Sequence, residues 1–245
     1  MLAAKDIKRL KALGQKKFRD QEGAFVVEGE KLVAEALASG FEIREIYRVD
    51  EIGNAAMERI TQLSSPSPVL AVVAKPASWD SPDADAPGPG LYLALDGIRD
   101  PGNLGTILRT ADWYGIDAVY ASPDTVEITN PKVVQSTMGA IFRVKFIKAD
   151  IPALCCAAVK AGGKVYGTFL NGDNIYTSTL DNGKSAPSII VVGNESNGIC
   201  PETAAAVSHR LTIPRFKENG PESLNAAIAT AITISEFKRQ CQGKE

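Results

Sequence analysis

The residues that decide the fold are Val-Val-Gly-Asn-Glu-Ser-Asn-Gly at positions 191–198, where an apolar strand runs directly into a turn of glycine and amide residues. Two later segments have a related character: Ile-Pro-Arg-Phe at 213–216 and Glu-Ser-Leu-Asn-Ala-Ala-Ile-Ala at 222–229. Glycine permits close backbone approach, and backbone amides exposed at turns and helix starts bind polar small molecules. The pattern predicts a ligand site in the last third of the chain. An ordinary strand-to-helix turn is the alternative interpretation of 193–198.

Strands and helices alternate outward from this stretch, from residue 91 to residue 239. The apolar pattern predicts strands at 91–95, 116–121, 143–147, 164–169, 188–192 and 210–213, and helices at 103–114, 131–140, 150–161, 201–207 and 223–239. Such alternation favours a mostly parallel α/β sheet covered on both faces. Ligands bind such sheets at the carboxyl ends of the strands, where Asp100-Pro-Gly-Asn103 is expected.

The N-terminal part repeats the alternation on a smaller scale and predicts an α/β sandwich over residues 1–75. The segment that follows is rich in proline and aspartate and predicts a linker. We therefore expect a small domain over 1–75, a linker over 76–90 and a larger domain over 91–245.

Composition excludes several classes of protein. The 245 residues are 44% apolar and 23% charged, with a net charge of −2, and no apolar run approaches the roughly 20 residues of a membrane span. Four cysteines without a Cys-x-x-Cys spacing and one histidine predict neither a disulfide framework nor a metal site. The dinucleotide fingerprint and the serine-hydrolase elbow are absent. We expect a cytoplasmic protein with no membrane partner and no metal.

The first 19 residues are basic, with a net charge of +6, although the whole chain is slightly acidic. Against the single carboxylate Asp6 stand seven cations: Lys5, Lys8, Arg9, Lys11, Lys16, Lys17 and Arg19. An arm of this kind attracts polyanions through phosphate contacts. A solvated helix face is the alternative interpretation.

Three polar residues near predicted helix starts have local interpretations. Asn103 is placed to cap its helix, and Ser223 is a plausible cap for the last one. Arg109 lies six residues after Asn103, about 240° around the helix, and its long side chain can still reach back toward the helix mouth. A surface arginine paired with a carboxylate is the alternative for Arg109.

Taken together, the motifs resemble those of the SpoU/TrmH-type RNA ribose 2′-O-methyltransferases of the SPOUT superfamily. The first motif is matched by residues 103–111, a supporting stretch by 130–140, the second motif by 192–198, and the third by 213–216 with 223–225. The N-terminal part resembles, more loosely, a small ribosomal-protein-like domain that binds RNA in some members.

The resemblance implies a trefoil-knotted α/β domain that binds S-adenosylmethionine and works as a homodimer. By motif, the cofactor would be bordered by Thr168, Gly193, Ile213 and Leu224. Arg109 would be the catalytic arginine, with the site arranged by Asn103, Glu195, Ser223 and Asn225. The implied reaction is methylation of a ribose 2′-hydroxyl in structured RNA, with ribosomal RNA favoured over transfer RNA.

Three alternatives stay open at this point. A non-catalytic RNA- or ribosome-binding protein could keep the same scaffold. A nucleotide-dependent oxidoreductase is disfavoured by the missing fingerprint. A related knotted enzyme could also methylate a base nitrogen instead of a ribose.

Overall fold

The computed structural model describes residues 2–79, 87–217 and 219–242. In chain order the helices and strands are α1 (Ala4–Ala12), α2 (Lys16–Glu22), β1 (Ala24–Glu28), α3 (Glu30–Ala38), β2 (Ile43–Arg48), α4 (Val49–Ile52), α5 (Asn54–Ile60), β3 (Val69–Ala74), β4 (Gly90–Asp96), α6 (Pro101–Tyr114), β5 (Ala118–Ala121), α7 (Pro131–Thr137), β6 (Phe146–Lys148), α8 (Ile151–Lys160), β7 (Lys164–Asn174), β8 (Pro187–Gly193), α9 (Pro201–Ala206), β9 (His209–Thr212) and α10 (Ala226–Gln242). Short 3-10 turns lie at Ala77–Trp79 and Ala140–Phe142. None of the helices within the described ranges is long and apolar enough to cross a membrane.

The chain forms two compact units. Unit 1 consists of Met1–Ala77 and Glu127–Arg143, and unit 2 consists of Ser78–Val126 and Val144–Glu245. The segment Glu127–Arg143 lies between β5 and β6 in sequence, yet it groups with the N-terminal unit. The predicted linker 76–90 is described only at its ends, because 80–86 lie outside the described residues. The division into domains at 75 and 91 stays a prediction.

Unit 1 contains an antiparallel sheet in the order β1-β3-β2. β1 is buried along its whole length, and α1 and α5 pack over the sheet through Leu10, Leu13, Met57 and Ile60. Two local predictions were incomplete. The apolar pattern of the N-terminal part predicts one helix over 52–63, whereas the structure has two helices, α4 and α5, separated by Gly53 with φ +84°. Helix α2 was not predicted, because Lys16–Glu22 buries only Arg19 and has no apolar period.

The basic N-terminal segment is folded rather than extended, and several of its cations are paired. Arg19 is only 2% exposed and bonds Glu127 at 2.6 Å, Thr129 Oγ1 at 3.2 Å and two backbone carbonyls. Arg9 bonds both Glu22 and Glu45. Arg9 and Arg19 are therefore engaged within the fold, and polyanion binding by this segment stays a prediction. Lys5, Lys8 and Lys17 are exposed and make no ion pair with the residues described here.

Unit 2 is built on a six-stranded parallel sheet in the order β6-β5-β4-β8-β7-β9. The central strands β4, β5 and β8 are buried on both faces, which explains their continuous apolar runs, whereas β9 at the edge is mostly exposed. On one face, Tyr92, Ala94 and Val191 pack against Leu154 and other residues of α8. Helices α6 and α10 pack together, and Phe237 of α10 contacts the ring of Tyr166 edge-to-face at 4.9 Å. The predicted parallel α/β sheet is confirmed.

Candidate functional site

The start of helix α6 is held by an aspartate that the sequence interpretation passed over. Asp100 is the N-cap residue, and its carboxylate accepts a 2.8 Å hydrogen bond from the backbone N–H of Asn103. Pro101 occupies the first helical position, where a missing N–H costs nothing. The prediction that Asn103 caps this helix was wrong, because Asp100 already fills that role. The Asn103 side chain is thereby released for contacts outside its helix.

Asn103 is buried and joins helix α6 to the loop at 193–198. Its side-chain amide donates a 2.9 Å hydrogen bond to Glu195 Oε1. The same carboxylate accepts from the backbone N–H groups of Arg99 at 3.3 Å and Asp100 at 3.2 Å. Glu195 thus sits at the amino end of α6, where the helix dipole favours a negative charge.

The third member of the network is Asn225, which precedes helix α10. Its amide donates a 2.8 Å hydrogen bond to Asn103 Oδ1, while its own oxygen accepts from the N–H groups of Ala227 and Ile228. Asn225 is therefore the N-cap of α10, which begins at Ala226. The predictions that the helix starts at residue 223 and that Ser223 caps it were wrong. Ser223 is exposed and has no hydrogen-bond partner within the part of the chain described.

The loop at 193–198 closes on itself. Asn194 Oδ1 accepts from the N–H groups of Ser196 and Asn197, and its amide donates to Gly97 O at 2.7 Å. Asn194 and Gly198 exchange two backbone hydrogen bonds. A Cβ atom at Gly193 would lie 2.2 Å from the Gly198 carbonyl carbon, so only glycine fits there. The turn is therefore more constrained than an ordinary strand-to-helix connection.

The carboxylate of Glu195 is held in its charged form. Burial acts to raise its pKa, but the hydrogen bonds from the Asn103 side chain and from backbone N–H groups outweigh burial and lower the pKa. A permanently charged oxygen acceptor therefore ties together the β4–α6 loop and the 193–198 loop at neutral pH.

Two of the four residues expected to border a cofactor lie at strand ends, and a third, Thr168, lies inside the strand between them, because β7 continues past the predicted end at 169 to Asn174. Gly193 ends β8, Thr168 lies in β7, and Ile213 follows β9 directly. These strands are adjacent and parallel in the order β8-β7-β9, so their carboxyl ends share one edge of the sheet. The Thr168 hydroxyl donates to Val191 O at 3.1 Å, which fixes its side chain against β8. Leu224 is 46% exposed and lies beside the network residue Asn225.

Arg109 lies on the exposed side of α6 and makes no hydrogen bond or ion pair with any described residue. Arg109 is thus a surface arginine, as the alternative interpretation expected, but the carboxylate partner of that interpretation is not found among the described residues. A guanidinium without an internal partner is free to bind an external anion or hydroxyl.

The contacts that Asp100, Asn194 and Asp96 make around the site were not predicted from the sequence. Asp100 was detectable, because an Asp before a Pro is a common helix start. Asn194 acts through an Asx turn, which glycine-flanked asparagines favour. Asp96, whose carboxylate accepts from Cys200 N at 2.8 Å, gave no local signal. Among the described residues, no cluster of three or more His, Cys, Asp or Glu is arranged to hold a metal ion.

Comparisons with known proteins identify the family of this chain. The SpoU rRNA Methylase family model matches residues 90–235, and the MRM3-like substrate binding domain model matches residues 4–76. The 23S rRNA (guanosine(2553)-2′-O)-methyltransferase RlmP of Bacillus subtilis is 30% identical, over 95% of each chain.

Two solved structures resemble the whole chain. A protein of the TrmH RNA methyltransferase family from Porphyromonas gingivalis is 39% identical, with a TM-score of 0.85 over 98% of this chain and 99% of its own. An AdoMet-bound rRNA methyltransferase from Sinorhizobium meliloti is 31% identical, with a TM-score of 0.81 over 98% and 96% of the two chains. Since the family model covers more than half of the sequence, this chain belongs to the SpoU rRNA methylase family.

Proposed function

We propose that this protein transfers the methyl group of S-adenosylmethionine to a ribose 2′-hydroxyl of ribosomal RNA. The observation that carries the proposal is the connected network Glu195–Asn103–Asn225, which ties three distant segments together at the mouth of α6. RlmP is named as a 2′-O-methyltransferase of 23S ribosomal RNA, and the S. meliloti protein was solved with AdoMet. Both names support this substrate and this cofactor.

The chemistry of the residues at the sheet edge fits S-adenosylmethionine. Ile213 and Leu224 offer apolar surface for an adenine ring, and Leu224 is exposed although it is a large apolar residue. The N–H groups of Asn194, Ser196, Asn197 and Gly198 are bonded within the loop, so Gly193 would serve the site through the close backbone approach that glycine permits. The bound cofactor would supply an activated methyl group on a sulfonium, so that no metal is needed.

The protein's own task is to position and polarise the ribose hydroxyl. Holding two reactants at contact distance lowers the barrier by up to several kcal/mol. Arginine stays protonated in proteins, so we assign Arg109 an orienting and electrostatic role rather than that of a base. Asn103, Glu195 and Asn225 then act as positioning residues, and Ser223 is free to contact ligand.

We also propose that the protein acts as a homodimer. Trp113 is 85% exposed and lies four residues after Arg109, on the same side of α6. Ile228 is half exposed at the start of α10, the helix that packs on α6. Burial of these side chains against a second copy would remove large apolar surface from water. Sedimentation of the wild type as a dimer and of Trp113→Glu as a monomer tests this point.

Two further features of the proposal rest on the resemblance. Unit 1 would bind the RNA, in line with the substrate-binding domain model that matches residues 4–76. The knotted path of the chain through unit 2 remains a prediction. The cytoplasmic location also remains a prediction, and the four free cysteines are compatible with a reducing compartment.

The experiment that tests the function measures methyl transfer directly. Purified protein is incubated with tritiated S-adenosylmethionine and unmodified ribosomal RNA, and the RNA is then digested to nucleosides. We expect the label in a 2′-O-methylated nucleoside. Label in a base would indicate a different target atom, and cofactor binding without any transfer would favour a non-catalytic RNA-binding protein.

A further inference from the structure

A groove between the first two helices of unit 1 has the shape and charge of a nucleotide site. Its volume is about 490 Å³, within the roughly 300–1,000 Å³ of small-molecule sites. From α1 it is lined by Lys5, Lys8, Arg9 and Ala12, which lie on one helix face at i, i+3, i+4 and i+7. From α2 it is lined by Phe18, Gln21 and Glu22, again on one face.

Around the groove three cations, Lys5, Lys8 and Arg9, stand against the carboxylates of Glu22 and Glu45, so one positive charge is left over. The carboxylate of Glu22 is neutralised by Arg9, at 2.5 Å. Arg9 is in turn held by Glu45 and Tyr47, so it forms a fixed part of the groove wall. Lys5 and Lys8 are exposed at the rim and have no carboxylate partner among the residues the structure covers. Two unpaired ammonium groups on one rim suit two phosphates.

The other side of the groove offers contacts for a base. Phe18 is partly exposed beside the groove, and an aromatic face stacks on any base. Gln21 is exposed and has no hydrogen-bond partner in the described segments, and its amide can both donate to and accept from a base edge. In a duplex the bases are stacked and paired, so these contacts require an unpaired nucleotide.

We propose that the groove between α1 and α2 binds an unpaired nucleotide of the RNA, with its base on Phe18 and its flanking phosphates on Lys5 and Lys8. This inference rests on the proposed RNA methyltransferase function and names the part of the substrate that unit 1 selects, a loop or bulge rather than a helix. The alternative ligand is an acidic segment of a protein, because its carboxylates could also pair with Lys5 and Lys8.

The test uses the full chain and a fluorescein-labelled oligoadenylate, with the oligoadenylate–oligouridylate duplex as a second probe. Phe18→Leu is expected to weaken single-strand binding about five-fold or more and to leave duplex binding unchanged, whereas Phe18→Tyr keeps the affinity. Lys5→Ala with Lys8→Ala is expected to lower the slope of log affinity against log salt by about 0.7 for each lysine. The matched control is Lys17→Ala, an exposed, unpaired cation of α2 outside the groove.

The outcomes separate this inference from the proposed function. Equal effects of Lys17→Ala and of the groove variants, or an unchanged affinity in Phe18→Leu, would overturn it. Displacement of the oligoadenylate by polyglutamate at lower concentration than by unlabelled RNA would assign the groove to an acidic protein instead. Calorimetric titration with S-adenosylmethionine is expected to be the same for all these variants. Failure of the wild type to bind that cofactor would reject the methyltransferase proposal, whatever the oligonucleotide result.

Discussion

The side-chain amide of Asn225 donates a 2.8 Å hydrogen bond to the side-chain oxygen of Asn103, which lies 122 residues earlier in the chain. The two asparagines connect the starts of α6 and α10, and Glu195 extends the connection to the loop after β8. The network fixes the orientation of both side-chain amides. Asn103 donates to Glu195 and accepts from Asn225, and Asn225 in turn accepts from the backbone of α10. The arrangement of the candidate site therefore depends on a few side chains.

Asn225→Ala removes both the cap of α10 and the link to Asn103. Loss of the cap costs about 1 kcal/mol of stability, and loss of the hydrogen bond costs about 1 kcal/mol more. Together these losses lower Tm by roughly 4–8 °C in a protein of this size. Asn225→Asp is the matched control, since it keeps the capping oxygen and loses only the amide donor. In thermal melts, Tm should decrease in the order wild type, Asn225→Asp, Asn225→Ala. Equal Tm values for Ala and wild type would show that neither contact matters for stability.

Glu195→Gln should reveal the lowered pKa of this carboxyl. Because the pKa in the folded state lies below the ordinary value of 4.5, the charged group stabilises the fold above that value. This contribution disappears as the pH falls through the lowered folded-state pKa. The Tm difference between wild type and Glu195→Gln is thus expected to be constant near neutral pH and to shrink below about pH 4.5.

The control for this titration is Glu202→Gln, which changes an exposed carboxylate in the first turn of α9. Its Tm difference from wild type should be small throughout. If Glu195→Gln gave the same small and featureless difference, the hydrogen bonds of Glu195 would carry no stabilising energy.

Gly193→Ala should damage the cofactor loop without unfolding the sheet. The added Cβ would lie 2.2 Å from both Gly198 and Ile199, so the turn must shift. Overpacking of this kind costs about 1–3 kcal/mol, and we expect a loss of about ten-fold or more in S-adenosylmethionine affinity by calorimetry. Gly40→Ala is the control, because nothing lies within 4 Å of its added Cβ. Normal affinity in Gly193→Ala would remove the loop from the cofactor site.

Arg109→Ala should abolish most methyl transfer and leave cofactor binding intact. Removal of a group that stabilises the transition state costs about 10²–10³ in rate, as for an oxyanion-hole donor. Arg109→Lys keeps the charge but not the planar fork of donors, so partial activity is expected. The methyl-transfer rates of both Arg109 variants are measured under single-turnover conditions with RNA. The control is Lys160→Ala, which removes an exposed cation at the end of α8. A rate near wild type in Arg109→Ala would exclude this residue from the mechanism.

Much of the fold could be predicted from periodicity, because the central strands β4, β5 and β8 of unit 2 are buried on both faces and read as apolar runs. Helix α2 could not, since its one buried side chain is Arg19, whose partner Glu127 is more than a hundred residues away. The grouping of Glu127–Arg143 with unit 1 has the same cause. Long-range pairs of polar residues leave no local pattern.

The residues of the candidate site could be predicted from the sequence, but the hydrogen bonds between them could not. Asn103 and Ser223 were interpreted as caps on local propensity, and the structure gives those roles to Asp100 and Asn225. Local rules rank Asn, Asp and Ser as nearly equal at the N-cap, so they cannot choose between candidates two or three residues apart. The choice is made by tertiary hydrogen bonds: Asn103 is engaged by Glu195 and Asn225.

The central claim is tested most directly by a map of ribose methylation in ribosomal RNA from cells with and without this protein. We expect that one 2′-O-methylated nucleotide disappears when the gene is deleted, returns with the wild-type gene, and stays absent with Arg109→Ala. Identical maps from the two strains would contradict it.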